Sequence, residues 1–244
     1  MDQPKWTDFK ITDLKLDVDA VLRGQGADPL VVRGRKPKLV ETASLALETA
    51  RNLLNPRVTA RQFKILSVRH NRIDLEDGFT LKGEWITSQL AGAEYLVAIV
   101  CTVGSAISDM VTQTIREDIL IGLAIDGVGS AGVEALGQMV CSQIEEHAAT
   151  EGFQTTIPYS PGMIEWPVED GQPQIFGLLE SENLSVNLTS SMVMIPSKSL
   201  SMLVGMGVNI AAKGVTCDYC AMQGTCKYRA TGGHANARNL VIPE

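Results

Sequence analysis

Three of the five cysteines of this 244-residue chain fall within ten residues, in "TCDYCAMQGTCKYR": Cys217, Cys220 and Cys226. A C-x2-C-x5-C cluster holds an odd number of thiols, so it does not pair off internally. Soft thiolates at this spacing, with Gly224 between them, suit a tetrahedral metal or one corner of an iron–sulfur cluster. The fourth ligand is open: His234 or Cys101, with Asp218 a weaker choice. An iron–sulfur cluster, a zinc site with His234, and a thiol cluster without metal are the three readings of the motif. The other two cysteines look different. Cys101 ends the apolar run "YLVAIVC" and Cys141 lies in a long helical stretch, both places for inert core thiols. His70, His147 and His234 form no paired metal motif.

Composition narrows the setting. The chain is 45% hydrophobic with a formal charge of −7 and a mean hydropathy of +0.07. The N-terminus has no basic segment leading into an apolar one, and no long uninterrupted apolar run stands out. A cytoplasmic protein is expected, where clustered thiols are metal or redox groups more often than structural disulfides. The acidic balance and 5% aromatic content speak against nucleic-acid and membrane-surface partners.

The elements that must position these groups read as α+β. Residues 11–56 carry helical spacing in "DLKLDVDAVLRGQGAD" and "KPKLVETASLALETARNLLNP". "RGRK" and "KPK" there read as a solvated helix entrance. "RQFKILSVRHNRIDLEDGFTLKG" alternates around an "EDG" turn, and "GAEYLVAIVCTVG" reads as a buried strand. "SAISDMVTQTIRED" is a helix, followed by the long "DILIGLAIDGVGSAGVEALGQMVCSQIEEHAATEG". Its five glycines, each costing about 1 kcal/mol in a helix interior, imply close backbone packing or a ligand against the helix. Asp126 and Glu134 lie on one side of it, as candidate anions for a cationic ligand. "GVGSAG" lacks the context of a dinucleotide fingerprint. "TTIPYSPGMIEWPVEDGQPQ" is a proline-stiffened loop, "PQIFGLLESENLS" a short helix, and "SVNLTSSMVMIPSKSLSMLVGMG" two strands flanking a Pro-Ser turn. The chain divides into an N-terminal helical segment (1–60), an α+β core (61–212) and a cysteine-bearing tail (213–244).

"YSPGMIEWP" followed by "LTSSMVMIPSKSLSMLVGMG" resembles the reactivation domain of cobalamin-dependent methionine synthase, most closely its small stand-alone versions from anaerobes. "CTVG", "DGVGSAGVEAL" and "DAVLRGQGAD" extend the resemblance over nearly the whole chain. It implies a C-shaped, twisted antiparallel sheet with flanking helices and a shallow groove for S-adenosylmethionine. It also implies a partner protein that carries a corrinoid, since this chain has no D-x-H-x-x-G corrinoid motif of its own. On the matching positions, Tyr159, Ser160, Pro161, Gly162 and Met163 become the ligand-facing edge. Asp126 or Glu134 is the candidate anion for an ammonium group, and Lys198 a candidate for the cation that meets a carboxylate. Pro158 stands where the family commonly has arginine, Met163 where it has tyrosine, and Ser190 where it has an acid. The expected function is that of an accessory protein of corrinoid-dependent methyl transfer. Its rival is a metal-bearing binding or electron-transfer module that has lost the methyl-donor site.

Overall fold

The computed structural model describes Trp6 and residues 9–180, 182–210 and 214–220. The chain opens with three helices: α1 (Val18–Gly24), α2 (Pro29–Arg35) and α3 (Pro37–Ala50). The Asp17 carboxylate caps α1 by accepting the Ala20 N–H at 2.7 Å, and Asp28 caps α2 in the same way. Pro29 and Pro37 occupy first helical positions, where a missing N–H costs nothing. The expected meander follows as β1 (Arg57–Arg69), β2 (Arg72–Leu75) and β3 (Thr80–Lys82), with "EDG" as a tight turn. A short helix the pattern did not announce, α4 (Glu84–Gln89), starts after Gly83 and leads to β4 (Tyr95–Thr102). Then come α5 (Ala106–Thr114), α6 (Ile119–Thr150), β5 (Gln154–Thr155), α7 (Val168–Leu178), β6 (Asn187–Leu188), β7 (Met194–Ile195) and β8 (Ser199–Gly207).

Six strands form one curled sheet in the order β3-β2-β1-β4-β8-β5, with every pairing antiparallel. This is the expected antiparallel sheet with flanking helices. The two strands around the Pro-Ser turn are present but not partners: β7 pairs with β6, and β8 enters the main sheet beside β4. The helix expected from Pro173 begins five residues earlier, at Val168. Glu169 and Asp170 in its first turn complement the helix dipole, and Pro173 sits inside it at the loss of one backbone hydrogen bond.

Alternation along the central strands divides the interior into two cores. Val97, Ile99 and Cys101 of β4, with Met202, Val204 and Met206 of β8, face α6, α1 and α3. Leu96, Ala98, Val100 and Leu203 face the opposite side, toward α7 and the loop before it. β4 is therefore covered on both faces, which is why it reads as an unbroken apolar run.

α6 is long and apolar enough by composition to cross a membrane, with a mean hydropathy of 1.6 over its most apolar window. More than half of that window is buried within the protein (56%), against α1, α3, α5 and the sheet. Its glycines mark the contacts. A Cβ on Gly24 would lie 2.5 Å from the Gly127 carbonyl oxygen, and one on Gly127 would lie 2.8 Å from the Val21 carbonyl oxygen. Further along, Gly132 meets Leu54, while Gly129 and Gly137 meet Lys198 and Leu200 of the β7–β8 segment. Close packing is what the glycines provide.

Replacing Gly127 with alanine sets two effects against each other. Alanine gains about 1 kcal/mol of helix propensity. The new methyl meets backbone oxygen, which moves only if α1 separates from α6, and such overpacking costs roughly 1–3 kcal/mol or more. Gly127→Ala is expected to lower Tm by roughly 2–4 °C for each net kcal/mol lost, measured by circular dichroism. A raised Tm would contradict the contact.

Candidate functional site

The proline-stiffened loop begins as an added edge strand. Thr156 donates its N–H to the Gly205 carbonyl at 2.9 Å. Tyr159 and Leu203 exchange backbone hydrogen bonds at 2.9 and 2.8 Å. Two residues further, the register would place Pro161 opposite Ser201 and require an N–H that proline lacks, so the ladder stops. The chain turns instead. Met163 donates to the Ser160 carbonyl at 3.2 Å, with Pro161 and Gly162 in the middle positions and Gly162 at φ +95°. That is the residue pattern of a type II turn, whose third position needs positive φ. A second turn follows at once: Trp166 donates to Met163 at 3.0 Å across Glu165 (φ +62°), and Gly162 donates to Trp166 at 2.8 Å.

This double turn is anchored from below. Met163 and Trp166 are buried in the core on the α7 side. A Cβ on Gly171 of α7 would lie 2.7 Å from Pro161 Cγ and 2.8 Å from the Trp166 ring, so helix and turn are in full contact. Ser201 Oγ donates to Gln172 Oε1 at 2.9 Å, joining α7 to β8. Gly162 and Glu165 remain exposed. The Trp166 indole N–H is buried and has no acceptor among the described residues.

Because the turn leaves the ladder at Ser160, the outer edge of β8 before Leu203 has no strand beside it among the described residues. Leu203 and Gly205 point their backbone polar groups outward, so the two-residue period points those of Ser199 and Ser201 outward as well.

The other predicted residues lie on the α6 side of the same strand. Lys198, just before β8, extends over Gly129 and places Nζ 2.7 Å from Asp126 Oδ1 and 2.9 Å from Ser130 Oγ. Asp126, a candidate anion for a ligand, thus has Lys198 as its partner. Glu134 accepts from Gln138 Nε2 at 3.0 Å and stands one helical turn, about 6 Å of rise, beyond Ser130. Gly137, three residues on from Glu134, meets Leu200 and Met202. Tyr159 to Met163 are therefore brought together in one turn, and Lys198 extends over the α6 face that carries Glu134, with β8 residues 199–203 between the two groups. Spacing alone revealed neither the link of Lys198 to Asp126 and Ser130 nor the supports of the turn, Trp166 and Gln172, because those contacts join distant segments. Ser190 is in the exposed turn between β6 and β7.

No protein-family model matches the sequence, and no curated protein does. A solved structure does: the crystal structure of the MetH reactivation domain bound to AdoHcy, with TM-score 0.54 and 18% identity over 75% of this chain and 69% of that one. The two share a fold. At that identity the likeness is one of architecture, and the MetH reactivation-domain fold is the one the loop and strand pair had implied.

The cysteines separate into two classes within this fold. Cys101 is fully buried in the sheet, and Cys141 directs Sγ onto Met202 Sδ at 3.8 Å. Burial pushes both thiols up to about 12; the charge of Glu134 acts in the same direction, second to burial for Cys141 and more weakly for Cys101. Cys217 and Cys220 instead lie half-buried in, and directly after, a 3₁₀ turn (Thr216–Tyr219) that sits against the loop residues Met163 and Ile164. Cys101 faces the α6 core on the far side of the sheet from Met163, so it is not placed to complete a site with Cys220. Among the described residues no group of three or more His, Cys, Asp or Glu side chains is arranged to hold a metal ion. Cys226 and His234 lie outside the described residues.

Two consequences are measurable. Iodoacetamide at pH 8 should leave Cys101 and Cys141 unmodified in the native chain, read by peptide mass spectrometry. Both thiols have folded values above the unfolded one near 9, so the unfolded state loses protons first as pH rises. Their contribution to stability is intact below about pH 9 and is lost between about 9 and 12. Cys141→Ser should flatten that alkaline decline in denaturant titrations, and an unchanged slope would argue against a buried thiol.

Proposed function

We propose that this chain is an accessory protein of corrinoid-dependent methyl transfer. In this reading it binds S-adenosylmethionine, or its thioether product, between the Ser160–Met163 turn and α6, and presents it to a corrinoid held by a partner protein. The observation that carries the reading is a stretch of β8 left without a strand beside a proline–glycine turn, in a fold whose solved counterpart was crystallised with AdoHcy.

The residues present fit such a ligand. Gly162 is exposed at the turn and admits close backbone approach. Glu134 is the acceptor for the α-ammonium group. Lys198 has three N–H donors, two of them used by Asp126 and Ser130, which leaves one for the α-carboxylate. Lys198 thereby takes the role of the arginine that Pro158 replaces. When bound, S-adenosylmethionine supplies an electrophilic methyl group; the protein's part is to hold and orient it. For the partner we assign the exposed start of α6. Ile119 and Leu123 lie on the same helical stripe as Asp126, Ser130 and Glu134, and Leu120 flanks it; the three apolar residues are 64%, 48% and 48% exposed.

Isothermal titration with S-adenosylmethionine and with AdoHcy tests the proposal. Saturable binding is expected, weakened about ten- to hundredfold by Glu134→Gln through loss of a charge-assisted hydrogen bond of roughly 1.5–3 kcal/mol. Absence of binding by the unaltered chain to either ligand would overturn it.

A further inference from the structure

The 3₁₀ turn carrying Cys217 and Cys220 is fastened to the double turn of the loop. The Ile164 N–H donates to the Tyr219 carbonyl at 2.9 Å, and Cys220 forms a β-bridge with Met163. The Tyr219 ring meets Tyr159 and Trp85 edge-on, each with ring centroids 6.1 Å apart, and Tyr159 and Trp85 meet at 5.6 Å. Asp218 closes the turn by accepting the Val215 N–H at 3.0 Å. The loop is thus clasped on one side by α7 and on the other by the cysteine turn.

From this juxtaposition we infer that Cys217 and Cys220 form a thiol–disulfide exchange site whose oxidation releases the clasp on the Ser160–Trp166 double turn. The pair is three residues apart in a tight turn, with the Cys220 N–H donating to the Cys217 carbonyl at 3.4 Å. Turn ends lie up to about 7 Å apart Cα to Cα, at the upper limit of what a disulfide spans, so closing the bond draws the two residues together. Cys101 is fully buried and the Cys141 thiol is packed onto Met202 Sδ, whereas the pair lies in a surface turn, which selects it for reaction. The oxidant is a low-molecular-weight disulfide. One cysteine thiolate attacks it and forms a mixed disulfide, expelling one thiolate. The second cysteine then attacks the protein sulfur of that bond and expels the other. Two electrons pass to the oxidant, two protons leave the cysteines, and one Sγ–Sγ bond forms. Cys220 is extended (φ −80°, ψ 129°) where it bridges Met163. Drawing its sulfur toward Cys217 turns that residue out of the bridge and removes the support of Ile164.

Only the consequence for a bound ligand rests on the function proposed above; the release of the clasp is read without ligand. The experiment uses the full chain carrying Cys226→Ser, either reduced or treated with oxidised glutathione. Intact mass and amide hydrogen exchange are then measured. The expected result is loss of two hydrogens in mass without a glutathione adduct, and exchange at the Ile164 amide faster by about tenfold or more. Both should reverse with dithiothreitol and be absent when Cys217→Ser is added. A persistent glutathione adduct, or equal Ile164 exchange in the two states, would overturn the inference. So would stoichiometric zinc or iron in the purified chain that Cys217→Ser abolishes. Failure of S-adenosylmethionine to bind would leave these readouts unaffected.

Discussion

Backbone contact between α6 and its neighbours is the constraint on which the rest of the structure depends. With side chains at Gly24 of α1 and Gly127 of α6 the two helices could not approach this closely, and side chains at Gly129 and Gly137 would crowd Lys198 and Leu200. The helix gives up propensity at each glycine and regains it in burial. Once α6 lies flat on the sheet, its solvent-facing stripe is fixed in register with β8. Asp126, Ser130 and Glu134 then stand in a row beside Lys198, whose ammonium joins the first two.

A second constraint acts at the sheet edge. β8 has a full partner in β4 along its whole length, whereas on its other side pairing ends where proline enters the register. One missing N–H thus does two things: it ends the ladder and starts the turn. The turn would be a loose projection without Trp166, Met163 and the α7 contact at Gly171. With them it is a rigid lip beside an unpaired strand edge. The sheet also keeps two chemistries apart, with inert thiols on its α6 side and the exposed cysteine turn against the lip on the other.

Much of this was legible in the residue pattern. The alternation of β1 to β3, the apolar run of β4, the glycine-marked α6 and the Pro-Gly turn all follow from local rules of period and dihedral preference, which need no knowledge of distant neighbours. The start of α7 was misplaced because Pro173 looked like a boundary, while the dipole-matched acids at Glu169 and Asp170 set the true one. α4 was missed because six residues are too few to display a period. The absence of a long apolar run was also misleading, since α6 is apolar at close to membrane level and has a packing reason to be so.

By itself the residue pattern determined the α+β class, the proline-stiffened turn at Ser160–Met163 and the separation of the cysteine cluster from Cys101 and Cys141, because each depends on residues near one another in the chain; the antiparallel sheet was implied by the family resemblance. Only the tertiary structure decided that Lys198 is held by Asp126 and Ser130, that β8 before Leu203 has no strand on its outer side among the described residues, and that the cysteine turn rests on the loop. Those are meetings of segments tens of residues apart, and no period or spacing encodes which side chain another reaches once the sheet has curled.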